Sequence, residues 1–264
     1  MSSMSSSRTS GRPVALVTGS SRGIGRATVL CFAARGYDVA VHYRREAEAA
    51  EEVAKAATDL GAATVVVEAD LQDPEAPGRI LQAVAERFGR LDVLVANAAS
   101  TAFKPLLDVS VRHLELTMRT VVQSFLLLCQ GAVPLMAGRP GSIVAVSGID
   151  TTRVIENHAL LATAKAALEQ MVRYWAVELA PHDVAVNGVI PGLVATDSSR
   201  QWADISYPGG AEPMYRQAVS ATPAGRVATP EDIAEIIVFL CSPAGRWLRG
   251  QNLVADGGLT LGYR

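Results

Sequence analysis

The stretch VALVTGSSRGIG, from Val14 to Gly25, decides the fold. Its first four residues, Val14–Val17, form an apolar run that is long enough for a buried strand and too short for a helix. Three glycines follow at the spacing G-x-x-x-G-x-G, and after them apolar residues recur at helical spacing as far as Ala33. A strand, a tight glycine-rich turn and a helix form a cradle for phosphate, because the helix N-terminus offers unpaired N–H groups. The stretch therefore predicts a dinucleotide site whose first contacts come from the following residues: Gly19, Ser21, Arg22, Gly23, Ile24 and Gly25.

Strands and helices are predicted to alternate along the rest of the chain. Further strands are expected at Val39–Tyr43, Thr64–Glu68, Leu91–Ala96, Ser142–Ser147, Val184–Val189 and Asn252–Ala255. Helices are expected at Glu46–Leu60, Pro74–Phe88, about Val111–Met136, His158–Ala180 and Glu231–Leu240. Alternation with nearly continuous apolar strands indicates an α/β fold, a doubly wound parallel sheet of the Rossmann type with helices on both faces. We expect one such domain over residues 13–264, with an irregular loop at about 197–224 that covers the substrate.

Composition excludes several classes of protein. The chain has 264 residues, 49% of them hydrophobic, and a net charge of −2 without the basic stripe that nucleic-acid binding needs. No apolar run is expected to span a membrane, since Gln123, Gln130 and Pro134 interrupt the best candidate. The Ser-rich residues 1–12 predict a disordered tail without a signal core, and hence a soluble cytoplasmic protein. The three widely spaced cysteines predict buried small hydrophobes, with neither a disulfide set nor a metal site.

The end of the second predicted strand indicates which cofactor binds. An acidic residue there would favour NAD, whereas this chain has Tyr43, Arg44 and Arg45, with Arg22 in the glycine-rich turn. Guanidinium groups suit a 2′-phosphate, so the sequence favours NADPH. Arg44 and Arg45 could instead be solvated residues at the start of a helix. Asp70, followed by Leu71, is predicted to meet the adenine, or else to open the next turn.

Six stretches, the glycine-rich turn among them, resemble those of the short-chain dehydrogenases/reductases. They are TGSSRGIG at 18–25, ADL at 69–71, DVLVANAA at 92–99, AKAALE at 164–169, VNGVIPGLVAT at 186–196 and GQNLVADGG at 250–258. Within that family the chain is similar to acyl-carrier-protein reductases, above all an enoyl reductase branch, in FGRLDV, NAAS, IENH and RYWAVELAP. The resemblance implies cofactor contacts from Asn97, Ala98, Lys165 and the segment that holds Pro191, Gly192, Val194 and Thr196. It also implies that the two long helices, 111–136 and 158–180, pair copies of the chain into a dimer or tetramer. The contact is expected to come from apolar residues beyond those that one sheet face needs: Phe125, Leu126, Leu127, Leu128, Met171, Tyr174 and Trp175.

The resemblance breaks where the chemistry is expected. The position of the family's proton-donating Tyr, four residues before Lys165, is Leu161. The position of its Ser is Gly148, with Ser147 beside it, and its helix Asn matches Val121. The enoyl branch has its Tyr seven residues before the Lys, where this chain has His158.

Three side chains remain as catalytic candidates. Lys165 lies on an apolar helix face, where the resemblance implies that its ammonium holds the nicotinamide ribose; a salt bridge is the alternative. His158 could donate a proton, or could simply begin the helix and pack against Asn157 or solvent. Ser147 is expected to satisfy backbone groups near the cofactor.

Loss of the Tyr favours a substrate whose reduction does not require a strong acid. A simple ketone yields an alkoxide and an enoyl thioester a basic enolate, and each needs a positioned donor. A quinone or conjugated cyclic ketone yields a phenolate-like anion, and a phenol titrates near about 10. We therefore expect an NADPH-dependent reductase for such a ring in aromatic polyketide or related secondary metabolism, with Val121 and Leu161 as an apolar wall. The alternatives are an enoyl-thioester or ketone reductase that uses His158 and a catalytically silent nucleotide-binding subunit.

Overall fold

Seven parallel strands form one sheet in the order β3-β2-β1-β4-β5-β6-β7. The computed structural model describes residues 11–262, and its strands are β1 Val14–Val17, β2 Asp38–Tyr43, β3 Thr64–Glu68, β4 Val93–Ala96, β5 Gly141–Val146, β6 Val184–Pro191 and β7 Asn252–Ala255. The predicted doubly wound sheet is confirmed, because β1 pairs in parallel with β2 on one side and with β4 on the other. The strand order reverses between β1 and β4, so a crevice opens at the carboxyl ends of these two strands.

Nine α-helices connect the strands within residues 11–262. They are α1 Gly23–Ala34, α2 Ala47–Asp59, α3 Ala76–Phe88, α4 Val111–Met118, α5 Ser124–Met136, α6 Ala159–Glu178, α7 Asp197–Ser206, α8 Ala211–Ala221 and α9 Pro230–Cys241. A π-helical segment, Arg119–Gln123, joins α4 to α5, so the long helix predicted over 111–136 is continuous but changes its winding.

Two apolar clusters lie on opposite faces of the sheet. Leu16 belongs to the cluster that α3, α5 and α6 cover, whereas its neighbour Val17 belongs to the cluster under α1, α2 and α9. This alternation follows from the two-residue period of a strand, which sends successive side chains to opposite faces. The same packing explains why the predicted strands are apolar almost throughout.

The segment expected as an irregular loop at about 197–224 consists mainly of two helices, α7 and α8. Thr196 caps α7, since its Oγ1 accepts a hydrogen bond from Ser199 N at 3.2 Å. Polar and small residues on these short helices mask their apolar spacing in the sequence. The expectation of an irregular chain here is therefore wrong, whereas its position beside the carboxyl end of β6 is retained.

More apolar residues of the helical region 111–136 are buried in the core than the sequence predicted. Phe125 and Leu128 were predicted as surplus apolar surface, yet both are buried in the cluster beneath α5. By length and composition Val111–Met136, with a mean hydropathy of 1.3 over its most apolar window, could cross a membrane, contrary to the expectation from its polar interruptions. Core helices of globular proteins can have the same length and composition, and 44% of this apolar window is buried within the fold.

Two smaller expectations concern the N-terminal tail and the three cysteines. Residues 1–10 of the predicted disordered tail lie outside the described residues, but Arg12 is placed and its Nε donates to Gly36 O at 2.8 Å. Cys129 and Cys241 are buried, as expected for small hydrophobes, and all three cysteines are free. Cys31 is only half-buried, with its thiol 3.7 Å from Glu235 Oε1.

Candidate cofactor and substrate site

The glycine-rich turn after β1 has a backbone that only glycine adopts easily. Gly19 and Gly23 have positive φ angles of 63° and 55°. A Cβ on Gly25 would lie 2.3 Å from Gly19 O, so the first turn of α1 can close against the loop only without a side chain. These contacts explain all three predicted glycines.

The loop after β4 holds this turn in place. The Asn97 amide Nδ2 donates to the carbonyl oxygens of Thr18 and Gly19, both at 3.0 Å. In return Thr18 Oγ1 accepts hydrogen bonds from the backbone N–H groups of Asn97, at 3.0 Å, and Ala98, at 3.1 Å. Asn97 and Ala98 therefore lie at the site where they were predicted, with the Asn97 amide bound to protein backbone.

His42, near the end of β2, is a residue of this site that the sequence did not reveal. Its Nδ1 accepts a hydrogen bond from Gly19 N at 2.9 Å, and its Nε2 lies 3.0 Å from Ala69 O. Burial lowers the pKa of His42 to about 4. We assign the neutral ring with its proton on Nε2, because Nδ1 must accept and Ala69 O can only accept. His42 thus links the glycine-rich turn to the end of β3.

A cavity of about 520 Å³ lies at the carboxyl ends of β1, β2, β3 and β4. Thirteen of the predicted cofactor residues line it: Gly19, Ser21, Arg22, Gly23, Ile24, Tyr43, Arg44, Arg45, Asp70, Leu71, Asn97, Ala98 and Thr196. None of the ion pairs within residues 11–262 involves Arg22, Arg44 or Arg45. Their three guanidinium groups lie beside the glycine-rich turn and form no ion pair in the described residues. They fit a dinucleotide that carries an additional phosphate.

Asp70 forms the turn that was one of its two predicted roles, and its contact with an adenine stays a prediction. The side chain lines the cavity, and its Oδ1 also accepts a hydrogen bond from Gln72 N at 3.0 Å. The carboxylate therefore shapes the turn after β3 and faces the space where an adenine was expected.

The segment after β6 lies mostly behind the cavity. Pro191 is the last residue of β6, and Gly192 N donates to Ala255 O at 3.1 Å. A Cβ on Gly192 would lie 2.8 Å from Asp256 Cβ, and Val194 is buried in the core. Of the predicted residues in this segment, Thr196 is the one that lines the cavity.

Lys165 lies on α6 with only 5% of its surface exposed. Its Nζ donates to Val146 O at the end of β5, so its direct partner is a carbonyl oxygen and not the carboxylate of a salt bridge. Burial lowers the pKa of Lys165 to about 8, and the negative charges of Asp150 and Glu169 oppose this effect. The ammonium form is thus kept, in part, by two carboxylates that the sequence analysis did not single out.

Ser147 binds one of these carboxylates. Its Oγ donates to Glu169 Oε1 at 2.5 Å, which corrects the expectation that Ser147 satisfies backbone groups. Glu169 stands four residues after Lys165 and shares its helix face, a spacing that could have identified it from the sequence.

His158 is enclosed by side chains from three other parts of the chain. Its Nδ1 lies 3.2 Å from Asp150 Oδ2, and its ring lies between those of Phe103 and Trp202, at centroid distances of 5.0 and 4.9 Å. Its Nε2 is buried without a hydrogen-bond partner among residues 11–262. The expectation that His158 packs against Asn157 or solvent is therefore wrong, because Asp150, Phe103 and Trp202 surround the ring.

The predicted apolar wall also differs from the structure. Val121 is buried in the core, and the residue of the π-helical segment that lines the cavity is Thr120. Leu161 is half-buried and packs against the same core cluster as Val121. π-Helical turns occur often at functional sites, and this turn brings Thr120 to the cavity wall. Within residues 11–262 no cluster of His, Cys, Asp or Glu is placed to hold a metal ion.

Comparison with known proteins finds reductases that are similar over most of the chain. The family model described as enoyl-(acyl carrier protein) reductase matches residues 19–260. A 1-cyclohexenylcarbonyl-CoA reductase of Streptomyces collinus is 38% identical over 250 residues, which cover 95% of this chain and 88% of the relative. A hydroxynaphthalene reductase-like protein Arp2 of Metarhizium robertsii is 34% identical over 252 residues, which cover 93% and 94% of the two chains.

A solved structure shows the same architecture. The short-chain dehydrogenase of Burkholderia cenocepacia J2315, crystallised in complex with NADP, superposes with a TM-score of 0.85 at 32% identity, covering 96% of this chain and 99% of the other. These matches extend over nearly the whole chain and mark it as an oxidoreductase of the reductase type. The chain therefore belongs to the short-chain dehydrogenase/reductase family, within the group that the enoyl-(acyl carrier protein) reductase model describes.

Proposed function

We propose that this protein is an NADPH-dependent reductase of a conjugated carbonyl compound built on a ring. The observation that carries the proposal is a cavity lined by thirteen predicted cofactor residues, combined with leucine and histidine at the two positions where the family has a proton-donating tyrosine. An aromatic polyketide or a related secondary metabolite is the kind of molecule that supplies such rings. The curated relatives support a cyclic substrate, since one acts on cyclohexenylcarbonyl-CoA and another is named for hydroxynaphthalene reduction.

The choice of NADPH over NADH rests on Arg22, Arg44 and Arg45. Their guanidinium groups line one cavity and form no ion pair in the described part of the chain, so they are available to a 2′-phosphate. The relative from Burkholderia cenocepacia binds NADP, which supports the same choice here.

When bound, the cofactor supplies the hydride, and residues of this chain bind and orient it. The Lys165 ammonium holds the nicotinamide ribose, and the segment Pro191–Thr196 holds the carboxamide, with Thr196 as its cavity-lining residue. Glu169 and Ser147 keep the surroundings of Lys165 polar and negatively charged, which favours its ammonium form. The helices α7 and α8 cover the substrate.

The first substrate class is a quinone or conjugated cyclic ketone. Hydride delivery to such a ring produces a phenolate-like anion, which can persist near an ammonium group and take its proton from water. This mechanism needs no tyrosine, so it is consistent with Leu161 at the family's tyrosine position.

The second class is an enoyl thioester, and the contact between His158 and Asp150 favours it. An enolate is too basic to form without a donor, and a histidine held by a carboxylate is such a donor. A catalytically silent nucleotide-binding subunit is the remaining alternative, and it predicts no turnover with any acceptor.

The test is NADPH oxidation by the purified full-length chain with a panel of acceptors. We expect turnover with a quinone, a cyclic enone or a cyclic enoyl thioester, and turnover at least tenfold lower with a saturated ketone. Equal rates with the saturated ketone would contradict the conjugated substrate. NADPH binding without turnover of any acceptor would establish the silent subunit.

We further propose that residues 13–264 act as one domain. The chain acts on a small molecule in the cytoplasm, without nucleic acid or membrane as a partner. Copies of the chain assemble into a dimer or tetramer. The partly exposed apolar side chains of α4, α5 and α6 support assembly.

A further inference from the structure

Two residues that depart from the family pattern, Gly148 and His158, both lie beside Asp150. His158 Nδ1 lies 3.2 Å from Asp150 Oδ2, and the Asp150 side chain is only 5% exposed. A Cβ on Gly148 would lie 2.7 Å from Asp150 Oδ1. The carboxylate of Asp150 therefore occupies space that any larger residue at position 148 would reduce. The absence of a side chain at 148 and the presence of a histidine at 158 are thus connected through Asp150.

The two ring nitrogens of His158 differ, since Nδ1 contacts Asp150 and Nε2 has no hydrogen-bond partner in the described part of the chain. An ionised carboxylate only accepts hydrogen bonds, so we assign a proton to Nδ1. Nε2 is buried and has no partner among residues 11–262. A buried polar atom without a partner is uncommon and indicates a role that protein groups alone do not fulfil.

The ring is also held from its sides. Phe103 packs against it at an interplanar angle of 31°, and Trp202 of α7 meets it at 81°. The Trp202 indole N–H donates to Glu156 O at 3.3 Å, which ties α7 to the loop before α6. Asn157 has a positive φ of 61° and fixes the direction in which the chain reaches His158.

We propose that His158 is the proton donor of the reduction, that Asp150 is the positioning residue that holds it, and that Gly148 provides the space for the Asp150 carboxylate. This inference rests on the proposed function for its second substrate class, the enoyl thioester, whose enolate needs a proton donor. The charged groups around the pair are Asp150 itself and Lys165, whose ammonium feels the Asp150 charge.

For an enoyl thioester, bound NADPH would supply a hydride to the β-carbon and become NADP⁺, and the π-electron pair would move through the conjugated system to the carbonyl oxygen. The Nε2–H bond of the imidazolium breaks, its electron pair stays on Nε2, and the proton binds the enolate. The neutral ring keeps its proton on Nδ1, which continues to donate a hydrogen bond to Asp150. Nε2 takes a new proton from solvent before the next turnover.

Kinetics of four variants test the inference. We expect His158→Ala to lower kcat by about 10² to 10⁴, the usual effect of a positioned general acid. Asp150→Asn and Gly148→Ala should each lower kcat at least tenfold with KM for the carbonyl changed less than threefold. Gly148 has a φ of −170°, which alanine also adopts, so Gly148→Ala changes only the space beside Asp150. Asp108→Asn alters an exposed aspartate in another 3-10 turn and should leave kcat unchanged.

The double variant separates positioning from a general structural effect. If Asp150 acts through His158, Asp150→Asn combined with His158→Ala should be no slower than His158→Ala alone. Additive losses, or a kcat for Asp150→Asn within twofold of the parent, would overturn the inference while leaving the proposed function intact.

A spectroscopic measurement does not depend on turnover. The chain has four histidines, so the ring nitrogens of His158 can be assigned in an NMR spectrum from the signals that His158→Gln removes. Asp150→Asn and Gly148→Ala should both shift its Nδ1 signal, and Asp108→Asn should not. An unchanged Nδ1 signal in Asp150→Asn would overturn the pairing, whereas failure of every carbonyl substrate in the parent would overturn the proposed function.

Discussion

At the scale of single residues, the arginines around the cavity give a direct test of cofactor choice. We expect NADPH to bind at least tenfold more tightly than NADH, a difference of about 1.4 kcal/mol. Arg44→Ala and Arg22→Ala should each reduce this ratio, because each removes charge-assisted hydrogen bonds to the 2′-phosphate. Titration of both nucleotides by fluorescence measures the ratio.

A neighbouring arginine serves as the control. Arg26 is an exposed residue of α1 that does not line the cavity, so Arg26→Ala should keep the preference. Equal affinities for the two nucleotides in the unmutated protein would refute the role given to these side chains.

Buried His42 predicts that stability decreases in mild acid. Its folded-state pKa of about 4 lies below its ordinary value of 6.5, so the unfolded chain binds more protons between these two pH values. The stabilisation is complete above pH 6.5 and decreases as the pH falls towards 4, by about 3 kcal/mol in total. Denaturant unfolding at a series of pH values should show this decrease in the parent and a smaller one in His42→Gln.

The exposed His182 is the matched control for that experiment. His182→Gln should retain the full decrease, since His182 is exposed. The same pH dependence in parent and His42→Gln would show that other groups cause the acid sensitivity.

The pKa of Lys165 predicts how NADPH binding depends on pH. If the ammonium holds the nicotinamide ribose, the dissociation constant of NADPH should rise as pH passes about 8, by up to tenfold per pH unit. Lys165→Met should bind more weakly at pH 7 and show no such rise. Adenosine 2′,5′-bisphosphate lacks the nicotinamide ribose, so its binding should stay constant over the same range. A rise of equal size for this ligand would assign the effect to another group.

At the scale of elements, most strands and helices could be predicted because local signals mark them. Val184–Val189 is apolar throughout, as a strand covered on both faces must be, and Gly61 and Gly89 follow directly after predicted helices. The two helices α7 and α8 were missed, since Pro, Gly and Ser residues around them resemble those of a loop. The π-helical segment at Arg119–Gln123 was also missed, because no residue pattern distinguishes it from an ordinary helical turn.

The connection between α7 and the start of α6 gives a prediction at this scale. Trp202 joins them through its contact with Glu156 O and its edge-to-face contact with His158, and Asn157 Nδ2 donates to Ser206 Oγ at 3.1 Å. Trp202→Ala should speed hydrogen exchange of the α7 amides at least tenfold, because local opening then breaks fewer contacts.

The exposed Trp247 is the control for this effect. Trp247 is 96% exposed, so Trp247→Ala should leave exchange in α7 unchanged. Unchanged protection of α7 in Trp202→Ala would show that α7 is held mainly by α8 and the Thr196 cap.

At the scale of the whole molecule, the cavity was easier to predict than the polar groups beside it. The glycine-rich turn, Asp70 and Asn97 each follow a predicted strand, and parallel strands bring their carboxyl ends to one edge. His42 and Asp150 could not be assigned in this way. Their partners, Gly19 and His158, lie 23 and 8 residues away along the chain, and each contact depends on side-chain packing that periodicity does not describe.

Which apolar residues of the long helices are exposed could be seen only in the structure. The predicted interface included Phe125 and Leu128, which the core buries, whereas Tyr174 is 63% exposed and Val177 is 75% exposed on α6. A groove between α4, the π-helical segment, α5 and α6 is lined by Met118, Val122, Leu126 and Met171 with Glu115, Arg119 and Gln123 at its edges. Both features lie on the side of the molecule formed by these helices.

We therefore expect two copies to pair through α4, α5 and α6, because an isologous contact would bury this apolar surface on both chains. Light scattering at micromolar concentration should give a dimer or tetramer for the parent. Tyr174→Glu or Val177→Glu would place a negative charge opposite the same charge on the second copy. The repulsion should shift the protein towards the monomer. Leu60→Glu alters a half-exposed leucine at the end of α2 and should leave the assembly intact. A parent that remains monomeric would refute the interface, and a dimer insensitive to both α6 substitutions would place it on another surface.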